Sequence, residues 1–577
     1  MVNIKINGRD IQADEGMTVL DAAKKASIKI PTLCHMDLEG LGFLNKDANC
    51  RVCMVEVMNW GNLVPACITK VSEGMDIRTD TTRVVNARRT NVELLLSNHP
   101  KDCLVCNRNG SCELQQLAIL THIDEIRYEG ERKEFEIDDS SLSIIRDPNK
   151  CVLCKRCLTM CNEVQTVGTL SDVDRGFDTV ISTAYGDPML ESNCTFCGQC
   201  LAVCPTGALT IVSNIKDTYK VLNDPSKKVV VQVAPAVRVA LGEAFAMEAG
   251  TDVTGKMVTA LRNLGFDYVF DTNYAADLTT MEEAHEFVER FKSGENLPII
   301  TSCCPSWVKF IEHNFPDYLH KPSTAKSPHE MFGAIAKSYF AEKEGIDPED
   351  MVVVSVMPCV AKKYESARPE LANEMENSDV DIVITTTELA RMIRDYSIDF
   401  RNLEDSDFDD PMGESTGGGT VFGSSGGVAE SAIRVAYWML TGENAEELEY
   451  NEIKGLEGIQ ETILNVAGNE VKVAVSSGLG NVRRLLEEDM AKDYHLIEIM
   501  ACPGGCIDGG GQPGHSGRTD VLAKRKDAIR GIDRSKEKRS SQENESIKKL
   551  YEEYLGEPGS ELAHKLLHTS YTPRERF

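Results

Sequence analysis

The chain of 577 residues carries 91 acidic against 62 basic side chains, a formal net charge of −29, and is 42% hydrophobic. That balance argues against wide nucleic-acid contact, which needs a basic face, and leaves room for several domains with at least one large core. No apolar run is long enough to cross a bilayer. Met1-Val2-Asn3-Ile4-Lys5-Ile6-Asn7-Gly8 alternates like a strand entering a turn and does not read as a signal peptide, so a cytoplasmic location is expected. Twenty cysteines in such a chain point to metal ligands, because that compartment keeps thiols reduced.

Val2 to Ile6, the Asn7-Gly8 turn and Arg9 to Ala13 predict a β-hairpin. A helix follows, capped by Thr18, with Val19, Leu20, Ala22, Ala23 and Ala26 on its inner face. Cys34, the pair Cys50 and Cys53, and Cys67 come next. Four thiols spaced this way suit zinc or iron-sulfur. The hairpin and helix leading into them resemble the β-grasp ferredoxin-type module that carries a 2Fe-2S cluster, and the cysteine groups downstream favour that choice. Gly40, Gly42 and Asn45 mark an enlarged surface loop between Cys34 and Cys50. Val84 to Leu96 predicts a helix ending near His99, with Cys103, Cys106 and Cys112 beyond it. Three thiols need a fourth donor, and neutral imidazole from His99 can supply it, giving a 4Fe-4S cluster held by one histidine and three cysteines.

Cys151, Cys154, Cys157 and Cys161 repeat at the spacing of Cys194, Cys197, Cys200 and Cys204, with Pro205 after the last. Three cysteines of each copy wrap one cubane while the fourth reaches across to the other. Cys151, Cys154, Cys157 and Cys204 are therefore expected on one 4Fe-4S cluster, and Cys194, Cys197, Cys200 and Cys161 on the second. Zinc ribbons use pairs of cysteines and do not fit this pattern.

Beyond about residue 213 strands alternate with helices, which predicts an α/β domain with mostly parallel sheet. Val229 to Val233 and Ile382 to Thr385 read as strands. Three others run into cysteine loops: Leu297 to Ile300 into Thr301-Ser302-Cys303-Cys304-Pro305, Met351 to Val356 into Met357-Pro358-Cys359-Val360-Ala361-Lys362-Lys363, and Leu496 to Met500 into Ala501-Cys502-Pro503-Gly504-Gly505-Cys506. Loops leaving the strand ends of one open sheet face one crevice, so these can gather five thiols. Pro305 is placed to open a helix, whose amides and dipole favour thiolate at Cys303 and Cys304. Val471 to Val475 followed by Ser476-Ser477-Gly478-Leu479-Gly480-Asn481-Val482-Arg483 imitates a dinucleotide fingerprint, but Arg483 stands in the third glycine's place, so a packing turn is expected. Gly417-Gly418-Gly419 and Gly426-Gly427 predict a tight buried turn, Glu404 to Asp410 a solvated loop, and Arg534 to Glu545 a charged surface or crossing segment. Lys548 to Leu555 and Ser560 to Leu567 predict helices that wrap the domain as a belt.

The three cysteine loops, in that order, resemble those of the FeFe hydrogenases, and with the cluster-bearing N-terminal half the chain looks like the monomeric clostridial type over nearly its whole length. The resemblance implies an H-cluster whose 4Fe-4S part sits on Cys304, Cys359, Cys502 and Cys506. Cys506 would bridge to a two-iron unit with CO, CN and a bridging dithiolate. Such ligands cannot come from side chains, so dedicated maturation proteins are implied. One 2Fe-2S and three accessory 4Fe-4S clusters complete the set, and these assignments leave Cys303 alone as a free thiol, suited to proton delivery. The resemblance also implies a proton path through Cys303, Glu283, Ser323 and Glu286. Glu283 and Glu286 share a face of the helix predicted over Thr280 to Phe291, and Glu282 is the neighbour that could be confused with Glu283. Lys362 would hydrogen-bond a cyanide, and Ala234, Pro235, Pro328, Met357 and Met500 would line a dry pocket, with His329 a polar residue at its margin.

The expected organisation is multidomain, α+β then α/β. A β-grasp ferredoxin-like module spans 1–79, a one-histidine three-cysteine cluster module 80–127, a two-cluster ferredoxin module 128–212 and a large α/β H-cluster domain 213–577. The function implied is reversible reduction of protons to H2 by a monomer that takes electrons from a ferredoxin or flavodoxin. A catalytic subunit of an NADH-linked electron-bifurcating complex is the alternative, and would need partner subunits because no convincing nucleotide site is present. A hydrogen sensor or an iron-sulfur assembly factor is the non-enzymatic reading, and Cys303 with the proton-path residues argues against both.

Overall fold

The computed structural model describes residues 1–38, 48–373, 377–445, 451–452, 458–466, 468–514 and 519–575. The loop with Gly40, Gly42 and Asn45 lies outside the described residues. At the N-terminus, Val2–Ile6 pairs antiparallel with Arg9–Ala13, and Asn7 and Gly8 take the left-handed conformations, φ 50° and 81°, that this tight hairpin needs. Val2–Ile6 then pairs in parallel with Asp76–Arg78, inside a five-stranded sheet that also holds Met54–Val57 and Asn62–Pro65. The helix Val19–Lys25, capped by Thr18, buries Val19, Leu20, Ala22 and Ala23 against it.

The helix Thr82–Ser97 ends just before His99. After it, the two copies of the cysteine repeat share one backbone trace. Leu153 and Phe196 have φ 51° and 54°, and Lys155 and Gly198 have φ 66° and 73°, at matching places in the two loops. These left-handed residues turn amides inwards, and Leu153 N–H donates to Cys151 Sγ at 3.4 Å. The copies differ in what surrounds them. Lys155 reaches Asp172 at 2.6 Å. At Gly198 a Cβ would lie 2.8 Å from Val360 Cγ2 and 2.9 Å from Gly510 Cα, so only glycine lets the large domain approach.

In that domain the strands Tyr268–Asp271, Lys228–Val233, Met351–Met357 and Ile382–Thr385 form a parallel sheet. A second sheet orders Ile299–Ile300, Leu496–Met500, Asn469–Ser477, Ile459–Val466 and Asn451–Glu452, the first three parallel and the last two antiparallel. The expected α/β domain is present, but its cysteine loops leave two sheets: Cys303, Cys304, Cys502 and Cys506 follow strands of the second and Cys359 a strand of the first. The crevice is the junction between them.

Two expectations are corrected. Gly417 to Gly419 do not form a turn; they open the short buried helix Gly417–Val421. A Cβ there would strike Asp533, Ser431 and the backbone of Asn273, so the glycines serve close approach of neighbouring helices. Arg534 to Glu545 is not mainly a surface segment, because it is tied to a buried carboxylate, Asp277. Asp277 accepts from Thr416 N–H at 2.8 Å and Thr416 Oγ1 at 2.6 Å, and from Ser541 Oγ at 2.8 Å and Asn544 Nδ2 at 2.9 Å. The acidic run is largely exposed, yet Asp409 accepts from Val269 N–H at 2.7 Å and holds the edge of the first sheet. Gly478 makes the expected packing turn: Leu479 N–H donates to Gln165 Oε1 at 3.0 Å and Arg483 Nε to Thr166 Oγ1 at 3.1 Å, docking it on the two-cluster segment.

The C-terminal helices Glu545–Leu550, continued through Tyr551–Leu555, and Glu561–Leu567 wrap the domain as a belt. Their clasp is Glu282, buried, which accepts from Tyr551 OH at 2.5 Å and from Gly559 N–H at 2.9 Å. No described helix is long and apolar enough to cross a membrane. Removing the Asp277 carboxylate leaves its buried donors unpaired, so Asp277→Ala is expected to lower stability by about 3 kcal/mol and to speed hydrogen exchange over residues 541–567 more than in the two sheets, read by denaturation and exchange mass spectrometry.

Candidate functional site

The three cysteine loops meet where the sheets join. Cys304 caps the helix Pro305–Asn314, and its Sγ receives the Ala501 N–H at 3.5 Å from the neighbouring loop. The helix start does not make these thiols acidic, contrary to the sequence expectation, because burial outweighs it. Burial and the charge of Cys304 push Cys359 up to about 12, and burial with Cys359 and Cys304 pushes Cys506 up as well. Cys502 is raised by burial and by Asp508, Cys359 and Cys304. Four soft donors whose negative charges oppose one another in a dry pocket fit a bound metal group, whose positive charge lets all four ionise together.

Cys303 lies beside them, packed with Cys304 and Cys506 against Ala276, Phe422, Val428 and Met500. Its thiol is pushed well up by burial and by Glu283, so it keeps its proton at neutral pH. Glu283 and Glu286 project from the helix Thr272–Ser293. Glu283 is buried, its Oε2 has no hydrogen-bond partner, and burial with the nearby Glu286 pushes it up to about 8. Ser323 Oγ donates to Glu286 Oε2 at 2.7 Å and Thr324 N–H to the same oxygen at 3.0 Å. Arg290, which sequence reasoning passed over, bonds Glu286 Oε1 at 2.5 Å towards the outside of the fold. Glu282, turned away to the belt, is separated from this set.

The Lys362 ammonium donates to Glu365 Oε2 at 2.6 Å, Ser327 Oγ at 2.9 Å and the Cys303 carbonyl at 3.1 Å. Burial pulls it down, but Glu365 and the thiols keep it above its ordinary value. Burial opposes ionisation of Glu365 too, and Lys362 with His329 still holds it down to about 2. His329 Nδ1 stands 3.1 Å from Glu365 Oε2, which gives this residue a place: it braces the carboxylate that orients Lys362. Glu365 was not singled out in the sequence, though Lys362 three residues before it is a visible signal. Ala234, Pro235, Pro328, Met357 and Met500 are all buried around the loops. Glu498, also missed, is buried on the strand Leu496–Met500, accepts from Gly426 N–H at 2.7 Å and Ala429 N–H at 2.8 Å, and is pushed up to about 7 by burial.

The remaining thiols lie in groups N-terminal to this centre, and Cys34, Cys50 and Cys112 pack in one apolar cluster with Cys154. Cys34 lies against Cys50, and Cys67 against Cys53. His99 is buried, and its Nδ1 faces the Pro100 carbonyl at 2.9 Å, so the other nitrogen, Nε2, is left buried without a partner, as a ligand nitrogen would be. Cys103 is the only exposed cysteine of the twenty. Cys151, Cys154, Cys157 and Cys204 line one cavity, without Cys161. Cys161 instead acts on Cys194, Cys197 and Cys200, so each copy of the repeat lends its fourth thiol to the other. The two-cluster segment is fastened to the cysteine loops by Ser143 Oγ on the Val360 carbonyl at 2.8 Å, Gln165 Nε2 on that of Ala501 at 2.8 Å and Gln199 Nε2 on that of Asp508 at 2.9 Å.

Family comparison agrees with this arrangement. Residues 227–510 match the iron only hydrogenase large subunit, C-terminal domain, and 519–574, which include the belt, match the iron hydrogenase small subunit. Residues 1–82 match a 2Fe-2S iron-sulfur cluster binding domain, 88–127 the NADH-ubiquinone oxidoreductase-G iron-sulfur binding region and 146–208 a 4Fe-4S dicluster domain. The NADP-reducing hydrogenase subunit HndD of Solidesulfovibrio fructosivorans is 53% identical over all of both chains. Iron hydrogenase 1 of Clostridium pasteurianum is 39% identical over 99% of this chain and all of its own. Among solved structures, an apo [FeFe]-hydrogenase HydA1 variant from Chlamydomonas reinhardtii matches 63% of this chain and all of its own, with 39% identity and a TM-score of 0.58. With the H-cluster domain, the 2Fe-2S domain and the 4Fe-4S domains all present, the chain belongs to the iron-only, or FeFe, hydrogenases.

Proposed function

We propose that this hydrogenase interconverts two protons and two electrons with H2 as the hydrogen-handling subunit of a nicotinamide-nucleotide-linked complex. The full-length similarity to a relative named as an NADP-reducing hydrogenase subunit supports this reading. So does the filled turn at Gly478, where Arg483 packs on Thr166 and leaves no room for a dinucleotide, so nicotinamide chemistry would belong to a partner chain. Direct reduction of a monomer by a ferredoxin or flavodoxin is the second reading, favoured by the presence of a whole line of cluster-binding segments on one chain. Maturation proteins would supply the two-iron unit in either case.

The ligand sets proposed are Cys34, Cys50, Cys53 and Cys67 for 2Fe-2S, His99, Cys103, Cys106 and Cys112 for one 4Fe-4S cluster, the two crossed quartets of the repeat for two more, and Cys304, Cys359, Cys502 and Cys506 for the H-cluster. The modules carrying them are proposed to divide at residues 79, 127 and 212. When bound, the two-iron unit supplies the open coordination site at which electrons and protons combine. The chain moves the protons. Glu286, held by Arg290, receives one at the outer end, Ser323 Oγ passes it inward, Glu283 takes it up through its unpartnered oxygen, and Cys303 Sγ presents it. Lys362, braced by Glu365 and His329, holds a fixed positive charge at the centre. Exposed Cys103 makes the histidine-ligated cluster the proposed point of electron entry.

Purified, matured single chain is expected to give no H2 from NADH or NADPH until partner subunits are added; full turnover by the single chain with reduced ferredoxin would favour the second reading. Cys303→Ala should cut H2 evolution by at least roughly 100-fold, the scale of a lost general acid, with the iron content unchanged. Glu283 carries its own pH signature. Its carboxyl titrates near 8 in the fold against 4.5 ordinarily, so between those values the folded chain holds a proton that the unfolded chain releases. Stability from this residue therefore falls as pH rises through that window, by at most about 1.4 kcal/mol per unit, and Glu283→Gln should flatten the slope in denaturation measured across it.

A further inference from the structure

Lys309 is a buried cation with almost nothing to neutralise it. It lies on the helix Pro305–Asn314, which begins one residue after Cys304, and is 4% exposed. Its Nζ sits 4.1 Å from the ring centre of Phe196 and 5.0 Å from that of Tyr364, rings that themselves lie 5.2 Å apart. Among the described residues it has no hydrogen bond and no ion pair. The carboxylate that acts on it, Glu312, is already taken by Arg368 at 2.6 Å and Arg574 at 2.8 Å, and Glu370, 2.9 Å from Arg574 and 3.6 Å from Arg368, completes a group that is neutral in sum and spares no charge for the lysine. Burial pulls the ammonium down to about 8, and the Arg574 and Arg368 charges pull the same way, while the thiol of Cys194 pulls it up.

Cation–π contact is worth about 2 kcal/mol when desolvated, too little to hold a buried ammonium that has no counter-charge of its own. A four-thiolate iron-sulfur cluster is an anion, and gains a further negative charge on reduction. Phe196 stands between Cys194 and Cys197, and Tyr364 follows the Cys359 loop, so Lys309 sits at the seam between the second quartet and the centre of the large domain. We propose that Lys309 is a positioning residue for charge: it holds a positive charge over the cluster of Cys161, Cys194, Cys197 and Cys200 and makes that cluster easier to reduce than it would be without the lysine, which favours an electron at the seam. The proposal rests on the ligand sets proposed above. The electron balance is one electron taken up per cluster and passed on, with no bond made or broken at Lys309.

The test is redox titration of the whole matured chain, followed by electron paramagnetic resonance of the accessory clusters. Lys309→Met should make one 4Fe-4S cluster roughly tenfold harder to reduce, about 59 mV for one electron, and leave the other accessory clusters in place. Lys309→Arg, which keeps the charge, should return that cluster to within about threefold of the parent. An unmoved potential in Lys309→Met with full iron content, or an equal fall in Lys309→Arg, would overturn the proposal. Lys309→Gln serves as a second neutral variant if methionine impairs folding, and is read the same way. The ligand sets are checked separately: Cys194→Ala, which removes the donor, must remove or convert the signal of the affected cluster, and an unchanged signal would reject the cluster assignment and not the role of the lysine.

Discussion

Thiolates repel one another, and the repulsion grows as water is removed. In this chain the sulfurs of Cys304, Cys359, Cys502 and Cys506 are packed where two sheets meet, each raising the cost of ionising the next. The fold must therefore provide rigid strand ends to hold groups that would rather separate, and a dry shell to keep solvent from relieving the strain. Strand Met351–Met357, buried along its whole length, and strand Leu496–Met500, likewise buried, perform the first task. Proline, methionine and alanine side chains perform the second. The belt closes over the helix Thr272–Ser293 through Glu282, on the neighbouring side of it from Glu283.

Much of this is written in spacing. Cysteine intervals predict which thiols lie together, so the grouping of Cys204 with Cys151, Cys154 and Cys157 is legible without coordinates, as are the hairpin, the cap at Thr18 and the buried strands. What the sequence hides is set by distance along the chain. Glu282 and Glu283 are adjacent and chemically identical, and only the arrival of Tyr551 from the far end makes one a clasp and leaves the other free to titrate. Three glycines in a row read as a turn until Asn273 and Asp533 are seen pressing on them. The strand ends suggest a single crevice in a single sheet, because nothing local records that Met351–Met357 pairs with a different set of strands from Leu496–Met500. Lys309 is one lysine among many by composition, and its isolation is visible only in three dimensions.

The chain is wired along its length, yet its single dinucleotide-like loop is spent on internal packing. Gly478 and Arg483 use the geometry that would cradle a pyrophosphate to fasten the two-cluster segment to the large domain. Structural economy of this kind separates the part that makes hydrogen from any part that handles nucleotide.

The two copies of the cysteine repeat have the same backbone and would be interchangeable as conductors. At one equivalent position, however, Lys155 carries a long side chain and Gly198 carries none, and only the bare position admits Val360 and Gly510. Steric size at a single residue thus decides which half of a symmetric unit can dock on the large domain, an asymmetry that the cysteine spacing does not encode.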